Sequence, residues 1–268
     1  MNNLSEKLEK LRRIRLFVLD MDGTITIDNT AIGGAVEFCE AVKNKGASVA
    51  YFTNNASKSP SDYVKKLKRI GFPVSRENMI TSGDVTINYL NTFHKGEPVY
   101  LVGTPELERS FLSAGIKLSD NAGIVVSSFD TTLTYKKLEH ACSLIRNGAL
   151  FYSTHPDVNC PTTGGFIPDS GAICAAIELS TGVKPRFFGK PYKESADMLC
   201  RISGLEISEI AFVGDRLYTD IAFGKRAGFL SVLVLTGETS LCMLEGAPDE
   251  QTPDLVFDGI YDILEFLN

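Results

Sequence analysis

The chain has 268 residues, long enough for one large or two moderate domains, and its 44% hydrophobic and 22% charged content is that of an ordinary globular protein. Its net charge of −6 and sequence pI near 5.2 argue against nucleic acid as a partner, because binding a polyanion needs a basic face. No run approaches the ~20 apolar residues of a membrane span, and the charged start MNNLSEKLEKLRRIR lacks the apolar stretch of a secretory signal.

The first strong element is LFVL (16–19), an apolar run that ends in Asp20-Met21-Asp22-Gly23-Thr24. Carboxylates beside a buried strand cost several kcal/mol for each uncompensated charge, on the order of 2–7 kcal/mol for a polar group alone. Asp22-Gly23 is therefore either a plain turn or the place where an ion or phosphate sits. A helix is predicted over 33–45, stopping at Gly46, and ASVAYFT (47–53) reads as the next strand, ending in Thr53-Asn54-Asn55. Ser59-Pro60-Ser61-Asp62 then opens a helix with Ser59 as N-cap and Pro60 in the first helical position, ended by Gly71. The basic cluster Lys65, Lys66, Lys68 and Arg69 fits the solvated side of that helix.

The middle of the chain has its own strand–helix rhythm. VYLVG (99–103) precedes a helix from Pro105, and GIVVSS (123–128) precedes a helix over about 134–147, capped by Thr134 and stopped by Gly148. Lys136 and Lys137 at the start of that helix read as solvated. ALFYST (149–154) leads into HPDVNCPTTGGFIPDSG, expected to be a long irregular loop, before the helix AICAAIELS. The loop carries His155, Asp157, Asn159 and Thr162-Thr163, with Gly164-Gly165 for backbone freedom; it is no P-loop, because the GK[ST] ending is missing. Further on come the short strand RFF, Gly189-Lys190-Pro191, EIAFVG (209–214), the helical TDIAFGKRAG, LSVLVL (230–235) and DLVF (254–257). Continuous rather than alternating apolar strands between helices imply a parallel sheet covered on both faces, a doubly wound, Rossmann-like α/β fold.

Six cysteines, at 39, 142, 160, 174, 200 and 242, form no CxxC pair and no regular framework, as expected of free thiols in a reducing compartment. With only three histidines, and His155 alone near Cys160 and Cys174, a cysteine–histidine enzyme is disfavoured. The expectation is a cytoplasmic protein with no membrane partner.

Ligands of open parallel sheets bind beyond the carboxyl ends of the strands. There the sequence places Asp20 and Asp22, then Thr53, Asn54 and Asn55, then Asp215, with Asp220 at the start of the following helix. Pro191 fits a first helical position, which would put Lys190 at a helix N-terminus suited to an anion. Singly each of these is a turn, a cap or a surface residue. Jointly they supply carboxylates for a hard cation, a hydroxyl and a lysine, which is what phosphoryl transfer needs.

Asp20-Met21-Asp22-Gly23-Thr24, Thr53, Lys190 and Gly214-Asp215-x4-Asp220 resemble the four ordered motifs of the haloacid dehalogenase (HAD) superfamily, phosphatase branch. YFTNNAS, THPDVNCP, GAICAAIE, FGKP, VGDRLYTD and LVLTGET resemble its NagD-type or p-nitrophenyl phosphatase subgroup. The resemblance implies a HAD core from 1–83 plus 184–268 and an inserted α/β cap domain over 84–183. It implies Asp20 as nucleophile, forming an aspartyl phosphate, and Asp22 as general acid and base. Mg²⁺ would be held by Asp20, the Asp22 carbonyl and Asp215, with Asp220 in support. Thr53, Asn54, Asn55 and Lys190 would bind the phosphoryl group, and Asp157 and Asn159 of the cap loop would shape substrate choice. The implied activity is hydrolysis of small organic phosphate monoesters, with p-nitrophenyl, sugar and nucleotide phosphates as candidates. A phosphotransferase or phosphomutase would use the same residues. A phospho-receiver domain is disfavoured by the inserted cap and by Asp22. Halide displacement is disfavoured by Asp22 alone, and a cap-lysine Schiff base by the solvated reading of Lys136 and Lys137. The physiological substrate and the oligomeric state stay open.

Overall fold

The run LFVL forms the strand Leu16–Leu19, all four residues buried, in a six-stranded sheet ordered Leu255–Phe257, Leu230–Val234, Ile210–Gly214, Leu16–Leu19, Ser48–Thr53, Met79–Thr81. The computed structural model describes residues 2–162 and 164–267, so Thr163 of the expected loop lies outside the described residues. Leu16–Leu19 pairs parallel with Ile210–Gly214 on one side and Ser48–Thr53 on the other. The chain order thus reverses at this strand, which makes its carboxyl end the switch point where a doubly wound sheet binds ligands.

The chain folds as two compact units: Met1–Thr53, Tyr63–Ile80 and Ala196–Asn268 in the first, Asn54–Asp62 and Thr81–Ser195 in the second. In the first, alternate strand residues feed two apolar layers. Phe17, Leu19 and Tyr51 pack with Phe38, Cys39 and Val42 of the helix Ala35–Asn44 and with Leu11. On the other face Phe223 meets Phe52, Phe212 and Phe229 edge-on, with ring centroids 5.9, 5.1 and 5.8 Å away.

The second unit carries a four-stranded parallel sheet ordered Arg186–Phe187, Leu150–Ser153, Ile124–Ser127, Val99–Val102. The predicted Thr134 cap is present, its hydroxyl accepting from the third residue of Tyr135–Arg146, and Thr104 does the same for Pro105–Ser113. Ser59 and Asp62 cap each other's backbone N–H groups at the start of Pro60–Arg69.

Four expectations are corrected. The stretch 155–171 is not irregular: Asn159–Thr162 and Gly165–Pro168 form an antiparallel hairpin. Its faces are both largely exposed, so no alternation marked it, and Pro161 and Pro168 argued against strands. The helix after Lys190 begins at Lys193. Gly189 to Tyr192 instead form a turn closed by a Tyr192 N–H bond to the Gly189 carbonyl at 2.9 Å, with a cis Lys190–Pro191 peptide. Asp220 lies within a turn of π-helix, Leu217–Ile221, ahead of the helix Ala222–Ala227. Lys137 is not solvated: its ammonium bonds Asp130 at 2.6 Å and the Gly103 carbonyl at 2.9 Å. No helix among the described residues is long and apolar enough to cross a membrane.

The aromatic layer yields a stability prediction. Phe223 is 1% exposed, and truncating a buried phenylalanine costs about 3–5 kcal/mol. Phe223→Ala should lower the urea midpoint accordingly; an unchanged midpoint would show that the ring cluster contributes little.

Candidate active site

Asp20 directly follows the buried strand, and its N–H extends the ladder to the Val213 carbonyl at 2.9 Å. On the neighbouring strand Gly214 is followed by Asp215, and the π-turn brings Asp220 back toward the same edge. One carboxylate oxygen from each of Asp20, Asp215 and Asp220 lies within 4.8 Å of the other two, and Asp215 and Asp220 are each 1% exposed.

The segment Met21–Thr26 winds round the Met21 carbonyl, which accepts from the N–H groups of Ile25 and Thr26 at 2.9 Å. This bend carries Gly23 at φ +92°, a conformation that costs glycine little, and lets its Cα face Asp215. A Cβ on Gly23 would lie 2.5 Å from Asp215 Oδ2, and one on Gly237 would overlap the same carboxylate. Asp215 is held from both sides: Thr24 Oγ1 donates to Oδ1 at 3.2 Å and the Glu238 N–H to Oδ2 at 2.7 Å.

Burial and then the charge of Asp220 push the Asp215 carboxyl up to about 6, against the opposing pull of the Glu238 N–H, Arg216 and Thr24. Burial pulls the Arg216 guanidinium down, but Asp20, Asp220 and Asp215 outweigh it and hold Arg216 above the ordinary arginine value. Arg216 also lies 3.1 Å from Glu238. Hard oxygen donors crowded at this spacing suit a divalent cation such as Mg²⁺ or Ca²⁺, and such a cluster could hold one.

Asp22 stands apart from the three. Its Oδ1 accepts from Thr26 Oγ1 at 3.1 Å and from Lys66 Nζ at 3.3 Å. Thr53 closes its strand, 5% exposed.

The second unit gathers Asn54, Asp157 and Lys190. Asn54 clamps the lysine backbone: its Oδ1 accepts the Lys190 N–H at 2.7 Å while its Nδ2 donates to the Lys190 carbonyl at 3.0 Å. The same Nδ2 lies 3.3 Å from both Asp157 oxygens. Lys190 is 2% exposed. Asn55 Oδ1 accepts from Ser57 N–H and Oγ at 2.9 and 2.7 Å, closing a local turn. Asn159 opens the exposed hairpin strand, outside this clamp. Beside it His155 is fully buried: Nε2 meets Asp169 Oδ1 at 2.8 Å and Nδ1 meets Thr154 Oγ1 at 2.9 Å.

Residues 17–117 match the family model of haloacid dehalogenase-like hydrolases, and 187–263 match a second, HAD-hydrolase-like model. An acid sugar phosphatase of Staphylococcus aureus (strain MRSA252) is 36% identical over 233 residues, 86% of this chain and 90% of that relative. The chain belongs to the haloacid dehalogenase-like hydrolases. Within that family it superposes on 4-nitrophenylphosphatase from Thermotoga maritima with a TM-score of 0.93 and 42% identity, over 97% of this chain and 99% of the other. NagD from E. coli K-12 gives 0.87 and 30%, over 93% and 98%. This HAD hydrolase is therefore a phosphatase of the NagD and p-nitrophenyl phosphatase type, built on the α/β HAD fold.

Sequence reading missed two cationic groups of the site. Arg216 sits inside the motif VGDRLYTD but was given no role. Lys66 was grouped with the solvated lysines, yet Tyr63, Lys66, Leu67 and Ile70 share the i, i+3, i+4, i+7 stripe that faces inward. That spacing was the available signal: Lys66 is half-buried while Lys65, Lys68 and Arg69 are exposed.

The tight approach at Asp215 is testable. Gly237→Ala adds one methyl against the carboxylate, and displacements near 1 Å cost about 100-fold in rate. Phosphatase activity of the folded variant should fall by about 10–100-fold; full activity would show that Asp215 tolerates displacement.

Proposed function

We propose that this HAD phosphatase hydrolyses small organic phosphate monoesters with Mg²⁺, through an aspartyl phosphate on Asp20. The observation that carries this reading is the Asp20–Asp215–Asp220 cluster at the switch point of the sheet, where burial and then the Asp220 charge raise the Asp215 carboxyl and a cation would relieve both. The Asp20 and Asp215 carboxylates and the Asp22 main-chain carbonyl would hold the ion, with Asp220 in support. The ion, when bound, supplies charge neutralisation for the phosphoryl oxygens.

In the first step an Asp20 oxygen forms a bond to phosphorus as the bond to the leaving oxygen breaks, and Asp22 gives that oxygen a proton. In the second, Asp22 takes a proton from water as the water oxygen attacks phosphorus, releasing phosphate and restoring Asp20. Thr53 Oγ1, the Asn54-Asn55 segment and Lys190 bind the phosphoryl group, and Asn54 fixes the lysine segment by its two backbone bonds. We take 84–183 as a cap domain inserted into the core of 1–83 and 184–268. Asp157 and Asn159 in this cap select the leaving group. The names of the relatives put sugar phosphates and p-nitrophenyl phosphate first among substrates to try. Six free cysteines fit a cytoplasmic location.

The test is phosphate release from p-nitrophenyl phosphate and a panel of sugar phosphates, with Mg²⁺ and with EDTA. Asp20→Asn should lose at least ~10³-fold in turnover while keeping its fold; retained turnover would overturn the nucleophile. EDTA should abolish activity and excess Mg²⁺ restore it; activity undiminished in EDTA would overturn the metal requirement.

A further inference from the structure

We propose that Lys66 is a positioning residue for the general acid: together with Thr26 it occupies Oδ1 of Asp22, so that the transferable proton is carried on Oδ2. This rests on the reading of Asp22 as the acid.

Lys66 projects from the inward stripe of Pro60–Arg69, between the buried Tyr63 and Leu67. Its ammonium reaches Asp22 Oδ1 at 3.3 Å, with 19% of the lysine side chain and 46% of the aspartate side chain exposed. Thr26, fully buried, gives its hydroxyl to the same oxygen at 3.1 Å. That hydroxyl has one proton and also lies 3.3 Å from the Met21 carbonyl, so the threonine alone divides its bond between two acceptors. The lysine supplies a second donor. Both known donors converge on Oδ1, and Oδ2 accepts no hydrogen bond among the described residues.

In a neutral carboxyl one oxygen is carbonyl-like and accepts, while the other carries the hydrogen. The ammonium and the Thr26 hydroxyl together take up the two acceptor sites of Oδ1, which disfavours a proton on that oxygen. The hydrogen is thereby assigned to Oδ2. When the phosphorus–oxygen bond breaks, its electron pair stays on the leaving oxygen, which takes the Oδ2 proton. Asp22 is left as a carboxylate facing the Lys66 ammonium, a charge arrangement that favours the transfer. Exposed surface ion pairs contribute little to stability; this one acts on proton placement.

Leaving groups differ in how much they need that proton. p-Nitrophenolate departs readily without it, whereas a sugar or glycerol alkoxide does not, and general acid catalysis is worth about 10²–10⁴-fold where it is needed. Lys66→Met should therefore lower kcat on glycerol phosphate by about 10-fold or more, and on p-nitrophenyl phosphate by no more than about 2-fold, with KM little changed on either. Lys66→Arg, which keeps a cationic donor, should recover most of the loss on glycerol phosphate. Asp22→Asn should show the same substrate selectivity with a larger amplitude.

Equal losses on the two substrates, or a loss confined to KM, would overturn the positioning role, as would Lys66→Arg behaving like Lys66→Met when both melt near the parent. Asp20→Asn run alongside separates the two readings. If it stays active, the phosphoenzyme reading fails. If it is inactive on both substrates while Lys66→Met spares glycerol phosphate turnover, only the role of Lys66 fails.

Discussion

The constraint on which the first unit turns is electrostatic: three carboxylates are held within 4.8 Å of one another at the end of a buried strand pair. Displacing the Asp215 carboxyl from 3.8 to about 6 corresponds to about 3 kcal/mol of differential interaction between its two protonation states. A fold stabilised by some 5–15 kcal/mol in total can sustain such a feature only where packing elsewhere is strong and where the charge is relieved in the working state. The strands beneath are buried throughout, and the edge-on phenylalanine layer packs against the neighbouring strand residues Phe52 and Phe212, so the cost is carried by a buried part of the unit.

Backbone geometry does what side chains cannot at this density. Asp215 lies between Gly23 and Gly237, and either position with a Cβ would meet its carboxylate. The space freed by two missing side chains lets a main-chain N–H, that of Glu238, reach Oδ2. A carboxylate gripped by a hydroxyl on one oxygen and an N–H on the other has little rotational freedom. Preorganised oxygen ligands of this kind give a cation a defined place at small entropic cost. The turn Thr236–Thr239 is therefore as much part of the site as the motif that holds Asp215, and Thr236 ties it to the bend of the first motif by a 2.7 Å bond to the Gly23 carbonyl.

Legibility followed burial. LFVL, VAYF and IAFVG are continuous apolar runs that can only be interior strands, and the acidic or hydroxyl residues at their ends stand out against them; the structure brings Asp20, Asp215 and Asp220 together there. The helix Asn2–Arg12 was not foreseen because its charged residues outweigh a thin stripe of Leu8 and Leu11. The strand Met79–Thr81 is three residues long, too short to register a period, although Thr81 and Asp84 form a capping box at the start of Ser82–Phe93. The hairpin over 159–168 has no buried face; its one turn signal, the Gly164-Gly165 pair, stands beside Pro161 and Pro168, which read against strands. Lys66 shows the same limit at a single residue: composition grouped it with its basic neighbours, and only helical phase separated them.

Hydrogen-bond accounting in the second unit gives the segment around Lys190 a physical basis. Ser82 Oγ donates to the Asn54 carbonyl at 2.5 Å, so its remaining capacity toward His155 Nδ1, 3.3 Å away, is as an acceptor. Thr154 Oγ1 donates to Ser128 and likewise accepts from Nδ1. Nδ1 is therefore a donor and carries one proton, while a second lies between Nε2 and the Asp169 carboxylate it faces. Burial, the largest single effect, pulls the imidazole down, but the Asp169 charge, its hydrogen bond and the Asp157 charge together outweigh it and raise His155 above its ordinary value. The buried charge of His155 is thus paired with Asp169, and the Ser82 hydroxyl is left to fix the Asn54 carbonyl. Asn54 in turn spends its amide oxygen and nitrogen on the Lys190 backbone. With N–H and C=O both engaged by one side chain, the peptide on either side of Lys190 is fixed independently of where its ammonium goes. Lys190 is 2% exposed, and the ordering of its backbone is met by Asn54.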